Sequence, residues 1–185
     1  FDTPESVLTF SSEGLNGMSR NMHAFVKEHI VRGYWKNKER PILVNNWEAT
    51  YFNFNEKKIL DIAKATKEIG GEMFVLDDGW FGKRNNDKCS LGDWYINKKK
   101  LPSGIDGLSQ KINEMGLKFG LWVEPEMVSP DSDLYRAHPD WAIKTDVYEP
   151  SQGRNQLVLD LTNPEVVEYI INTMTDVFRY GNIEY

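Results

Sequence analysis

Asp77 and Asp78 are adjacent carboxylates placed where an apolar run, Glu72-Met73-Phe74-Val75-Leu76, turns abruptly polar. Ionised Asp is an acceptor only, and two such groups can hold several hydroxyls of a polyol. Gly79 follows at once. A turn there lets both side chains face one pocket, although consecutive strand residues point to opposite sides. Trp80 and Phe81 are expected to add flat apolar surface nearby. The same Asp-Asp-Gly is also an ordinary loop start, because Asp and Gly dominate turns for local reasons, and residue type alone leaves the two readings level. A second set is Trp122, Glu124 and Glu126, which share one side of an extended strand by the period of two. An indole beside carboxylates fits a sugar, whose C–H face stacks on the ring while its hydroxyls bond the acids. A core Trp with solvent-facing acids fits that spacing equally well. Trp47, in Asn45-Asn46-Trp47-Glu48, repeats the pairing of an aromatic with an acid at a strand end. Arg154, just before another apolar run, has a guanidinium able to donate to hydroxyls or position a carboxylate, although a loop Arg is more often solvated. Spacing alone would nominate Asp78 and Glu124 as the two carboxyls that glycoside hydrolysis needs, but it shows no distance between them.

Other chemistries find less support. His23, His29 and His138 are scattered, with no His-x-x-x-His or Cys-x-x-Cys spacing, so no metal or cofactor is expected. His138-Pro139-Asp140-Trp141 reads as a structural turn, and Lys98-Lys99-Lys100 as a solvated loop face. Cys89, the single cysteine, has no partner His or Asn in view and allows no internal disulfide, which fits a reducing cytoplasm. With 28 acidic against 22 basic residues the formal charge is −6, a sign that repels phosphate backbones and argues against nucleic acid. Apolar runs reach only four or five residues, far short of a membrane span.

The elements that must position these residues alternate. A helix is expected from Gly17 to about Val31. Strands are expected at 41–47, 72–76, 117–123 and 156–161, with helices at about 55–69, 106–115 and from Thr162 onward, and a short one near 132–137. Asn53 with Glu56 resembles a capping box, and Thr162-Asn163-Pro164-Glu165 a helix start with Thr as its cap. Residues 182–185 read as a new strand beginning. Strand–helix–strand order with continuously apolar strands predicts a parallel sheet whose polar residues gather at one edge. A (β/α)8 barrel and a doubly wound sheet both place sites there, but no Gly-rich nucleotide fingerprint is present. A complete barrel takes about 250 residues, so 185 residues with three or four strands read as the first half of one. The expected division is a lead-in segment and helix over 1–35, from a preceding domain, and the half-barrel over 36–185.

The motifs then converge. Asn46-Trp47-Glu48-Ala49-Thr50-Tyr51-Phe52, Leu76-Asp77-Asp78-Gly79-Trp80-Phe81-Gly82, Leu91-Gly92-Asp93-Trp94, Phe119-Gly120-Leu121-Trp122-Val123-Glu124-Pro125-Glu126-Met127-Val128 and Gly153-Arg154-Asn155-Gln156-Leu157-Val158-Leu159-Asp160 resemble the α-galactosidases of glycoside hydrolase family 36, the melibiase group, in that family's order. The resemblance implies a (β/α)8 barrel after a large β-sandwich domain and retaining hydrolysis of terminal α-galactose from melibiose, raffinose or stachyose without a metal. It implies that Asp77 and Asp78 bind the galactose 4- and 6-hydroxyls and that Trp122 and Arg154 line the pocket, which displaces the Asp78–Glu124 pair; Trp47 joins them as a substrate-binding candidate on its place at a strand end. Residues 182–185 resemble the lead into the family's Lys-Trp-Asp-Met-Asn nucleophile motif, so no catalytic residue is expected in these 185. The complete protein is expected to be a cytoplasmic homo-oligomer, and the 185 residues alone, an open half-barrel with exposed strand edges, are expected to aggregate or pair with another copy. Left open are a non-catalytic galactose-binding module and a related α-N-acetylgalactosaminidase or galactosyl transferase.

Overall fold

A computed structural model describes residues 5–185, and the chain divides into two compact units between Arg40 and Pro41. The first holds α1 (Gly14–Phe25), which runs on as one π-helical turn over Val26–Ile30, and a 3-10 turn at Tyr34–Asn37. The expected helix therefore begins three residues earlier than its apolar spacing indicated. Gly14 has φ 75, which marks that start.

The second unit is built on a parallel sheet of β1 (Leu43–Asn45), β2 (Met73–Leu76) and β3 (Lys118–Leu121), in the order β1-β2-β3. Leu43 pairs with Met73, and Val75 with Gly120. All four β2 residues are buried, as a central parallel strand covered on both faces must be. The chain end continues the series beyond β3. The Glu184 amide donates to the Phe119 carbonyl and the Leu121 amide to the Tyr185 carbonyl, each at 2.8 Å, so residues 182–185 approach β3 in the same direction. Strands in consecutive order suit a barrel wall, whereas a doubly wound sheet reverses its order part-way.

Two helices carry the crossovers. α3 (Glu56–Glu68) joins β1 to β2 and buries Ile59 and Ala63; α4 (Gly104–Glu114) joins β2 to β3 and buries Ile105, Leu108 and Ile112. These side chains share one core with Phe74, Leu76, Phe119 and Leu121. The N-cap of α3 is Asn55, whose side chain accepts from the Lys58 amide, and not Asn53. Asn53 lies two positions too early for its side chain to reach the first free amides. Glu56 instead ties α3 to α4, accepting from the Ser103 amide at 3.0 Å and from Lys111. Burial pushes the Glu56 carboxyl up, but Lys111 and Ser103 outweigh it and hold the group below the usual carboxylate range.

The apolar run at 156–161 is not a further strand of the parallel sheet. β4 (Met127–Val128) and β5 (Leu157–Val158) form an antiparallel pair. In that run Leu157 and Leu159 are buried while Val158 and Leu161 are exposed, the one-sided burial of a ribbon. With α5 (Asp133–Ala137), Trp141 and Val166 it forms a second, small core. α6 (Pro164–Phe178) is capped by Asn163, not Thr162, whose hydroxyl donates to Asp160. Its apolar stripe is only partly used: Val166, Met174 and Val177 are buried, and Ile171 and Phe178 are exposed.

A folded-state carboxyl pKa below the unfolded one gives stability that is present above the unfolded value and lost as pH falls through the folded one. Glu56→Gln is therefore expected to lower stability by about 1–2 kcal/mol near neutral pH, and by progressively less as the pH is lowered below the ordinary carboxylate range, where wild type loses the same contribution. Thermal unfolding of the two proteins across an acid pH series checks this.

Candidate functional site

The polar residues at the C-terminal ends of β1 and β2 are clipped to one another. Asn45 ends β1, and Asn46 follows it. The Asn45 amide group donates to Asp77 Oδ2, and Asn46 Oδ1 accepts from the Asp77 backbone amide at 2.8 Å. Asn46 is fully buried and its own amide group donates to Thr50 Oγ1, so its orientation is set. Asp77 is half-buried, and its Oδ1 accepts the Asp78 amide at 2.7 Å. Asn45 Oδ1 in turn accepts the backbone amide of Trp47, which opens α2 (Trp47–Thr50). The half-buried Trp47 ring stands edge-on to Phe52 at 5.0 Å.

Asp78 faces inward. It is 3% exposed, and Arg84, with no exposed surface, grips it: Nε lies 3.0 Å from Oδ1 and Nη2 2.8 Å from Oδ2. The remaining guanidinium nitrogen, Nη1, donates to the Cys89 carbonyl at 2.9 Å. The turn that allows this is at Gly79, with φ 100; a Cβ there would lie 3.1 Å from the Phe52 ring and 3.4 Å from the Arg84 carbonyl. Lys100 fills the space beneath. Its ammonium donates to the carbonyls of Phe52, Gly79 and Arg84 at 2.9–3.0 Å and lies 4.6 Å from the Phe54 ring centre. Burial pulls its pKa down to about 8. Lys100 is thus a half-buried staple between the β1 and β2 loops and not part of a solvated lysine face; Lys98 and Lys99 are exposed.

Trp80 and Phe81 offer no surface to a ligand. Both are fully buried, packed against Trp94 and behind Trp122. Trp80 Nε1 donates to the Trp122 carbonyl at 2.9 Å, so these rings form the wall that carries the loop. Asp93 is structural as well: its carboxylate accepts the Asp133 and Leu134 amides, each at 3.1 Å, while burial pushes its pKa up.

Trp122 follows directly on β3 and is half-buried. The strand ends at Leu121, so the alternation expected to align Trp122, Glu124 and Glu126 does not apply; Pro125 has no amide with which to continue a ladder. Glu124 is half-buried and accepts from Gln156 Nε2 at 3.0 Å, which brings the 153–156 turn to the end of β3. Burial pushes the Glu124 carboxyl up; the Gln156 amide opposes this, the Glu126 charge adds to it, Arg154 opposes it and Asp78 adds to it. Arg154 itself is exposed at φ 51, a left-handed conformation it shares with Asn155 at φ 62. The sequence-predicted residues therefore stand at one edge of the sheet: Trp47 after β1, Asp77 and Asp78 after β2, Trp122 after β3, and Arg154 in a turn whose charge reaches Glu124. Asn45, Asn46, Arg84, Lys100 and Gln156 were missed, since nothing in a loop Arg or Lys marks it as buried. Among the described residues no three His, Cys, Asp or Glu side chains are grouped so as to hold a metal ion, and no helix is long and apolar enough to cross a membrane.

The sequence profile of the melibiase family matches residues 1–185. The chain belongs to the melibiase family. It is 55% identical over its whole length to the α-galactosidase AgaA of Geobacillus stearothermophilus, covering 25% of that protein, and 48% identical to the α-galactosidase Mel36A of Lactobacillus acidophilus, again covering 25%. Among solved structures it is similar to the family 36 α-galactosidase AgaA A355E bound to 1-deoxygalactonojirimycin, with a TM-score of 0.89 and 55% identity, over 95% of this chain and 24% of that one. The same enzyme, as A355E D478A, has been crystallised with stachyose. The chain thus spans about a quarter of the length of the relatives it matches, and within this melibiase segment the polar sheet edge is the candidate site.

If Lys100 is the staple between the two loops, Lys100→Met orphans three carbonyls and is expected to lower stability by about 2–3 kcal/mol. Lys98→Met and Lys99→Met, at exposed positions, are expected to stay within about 0.5 kcal/mol of wild type. Thermal melts of the three variants decide it.

Proposed function

We propose that this chain is the galactose-gripping portion of a retaining α-galactosidase, the first half of its (β/α)8 barrel, acting on terminal α-galactosyl residues of raffinose- and stachyose-type oligosaccharides. The observation that carries this reading is the anionic pair Asp77–Asp78 at the C-terminal mouth of a central, consecutively ordered parallel strand. The naming of relatives as α-galactosidases supports it. Residues 1–35 read as a lead-in from a preceding domain; the boundary between the two compact units lies five residues later, between Arg40 and Pro41. One cysteine and a net acidic charge support a cytoplasmic protein without a nucleic-acid partner.

In this reading Asp77 and Asp78 accept hydroxyls of the non-reducing galactose, Trp122 presents its ring to the sugar's C–H face, and Arg154 and Trp47 line the rim. No residue of the chain is assigned a bond-breaking role. Arg84 Nε is shared between both Asp78 oxygens and Nη2 also donates to Oδ2, so of the two lone-pair positions on each oxygen one on Oδ1 stays free. The hydroxyls held are remote from the anomeric carbon. The binding energy they supply holds the sugar where reaction can occur, and it reaches the rate through positioning. Galactose differs from glucose in its axial 4-hydroxyl. A buried carboxylate that finds no hydroxyl there loses a charge-assisted hydrogen bond, which is the basis of strong discrimination.

In the complete polypeptide, Asp77→Asn and Asp78→Asn are each expected to lower kcat/KM for p-nitrophenyl α-galactoside by about 100-fold. Steady-state kinetics on folded protein measure it. Values within a few-fold of wild type for both variants would remove the galactose assignment.

A further inference from the structure

We propose that Arg84 is a positioning residue for substrate recognition, fixing the Asp78 carboxylate and coupling it to Trp47. This rests on the galactose-site reading above. Three observations carry it. Arg84 has no surface of its own to offer a sugar, yet two of its nitrogens lie on the two Asp78 oxygens and the third on the Cys89 carbonyl, so every nitrogen of the fork has a partner and its plane is fixed. The Arg84 carbonyl is itself held by Lys100, which also holds Gly79 and Phe52, so the residue is anchored at both ends. The guanidinium carbon lies 5.5 Å from the Phe52 ring centre, and that ring packs edge-on to Trp47. One buried cation therefore joins the carboxylate after β2 to the indole after β1, and the two candidate sugar contacts keep a fixed separation.

The geometry also fixes which part of Asp78 can meet ligand. A planar fork that engages both oxygens orients the carboxylate plane, and a lysine, a point charge on a flexible stem, does not. Arg84→Lys keeps the charge and the approximate bulk while losing that orientation. A residue acting only through Asp78 should lose its effect once Asp78 has been changed, because coupled positions are not additive.

The experiment uses the complete polypeptide and p-nitrophenyl α-galactoside, with folding of each variant verified by thermal melt. Arg84→Lys is expected to raise KM by about tenfold with kcat within about threefold of wild type. On an Asp78→Asn background, Arg84→Gln is expected to change kcat/KM by less than about threefold. This double variant carries no unpaired buried charge, so it stands in should Arg84→Lys fail to fold. Unchanged KM in folded Arg84→Lys, or a full independent loss from Arg84→Gln on the Asp78→Asn background, would overturn the positioning role. If Asp78→Asn alone leaves kcat/KM intact, Arg84 has no substrate-binding carboxylate to position and the proposal is overturned; the galactose-site reading itself fails only if Asp77→Asn does the same.

Discussion

The buried ion pair between Asp78 and Arg84 sets the terms for everything around it. Taking two charges out of water is expensive, and their attraction offsets this only when the geometry is good and the leftover donors are satisfied. Here both conditions are met. Nε and Nη2 reach the two carboxylate oxygens, Nη1 finds the Cys89 carbonyl, and Lys100 closes off the Arg84 carbonyl below. An apolar pair of similar volume would hold a loop at least as well. An anionic acceptor kept at the mouth of a central strand therefore makes most sense as a group whose charge is used.

Around that pair the loop between β2 and α4 is carried by apolar packing. Trp80, Phe81 and Trp94 form an aromatic wall with Trp122 on its outer side, and the indole nitrogen of Trp80 binds the Trp122 backbone. The rings bury large areas with only two side-chain torsions each to order, which makes them efficient rigid supports. The second small core does the same for the excursion between β3 and α6 and delivers Gln156 to Glu124. Positioning thus comes from hydrophobic burial and orientation from a handful of hydrogen bonds.

Much of this was legible in advance. Val75 and its neighbours read as a buried strand because a central parallel strand has no polar face to show, and α3, α4 and α6 read as helices because their apolar spacing follows the turn. The site edge was legible because carboxylates, indoles and asparagines collect where those runs end. Caps were misplaced by a residue or two at Asn53 and Thr162: side chains of the same chemistry lie next to one another there, and only backbone geometry selects between them. The run at 156–161 was misread because a short apolar segment has the same composition in a ribbon as in a sheet.

Residue types and order determined the strand–helix alternation, the family membership that the profile match bears out, and the chemistry available at the strand ends. Tertiary structure alone decided which of those groups face inward. Trp80 and Phe81 became wall, Lys100 left its exposed neighbours to bind three carbonyls, and Arg84, six residues from Asp78, became its partner. The reason is physical: burial and partnership of a polar group depend on what other segments bring to it, and local sequence carries no record of contacts made across loops.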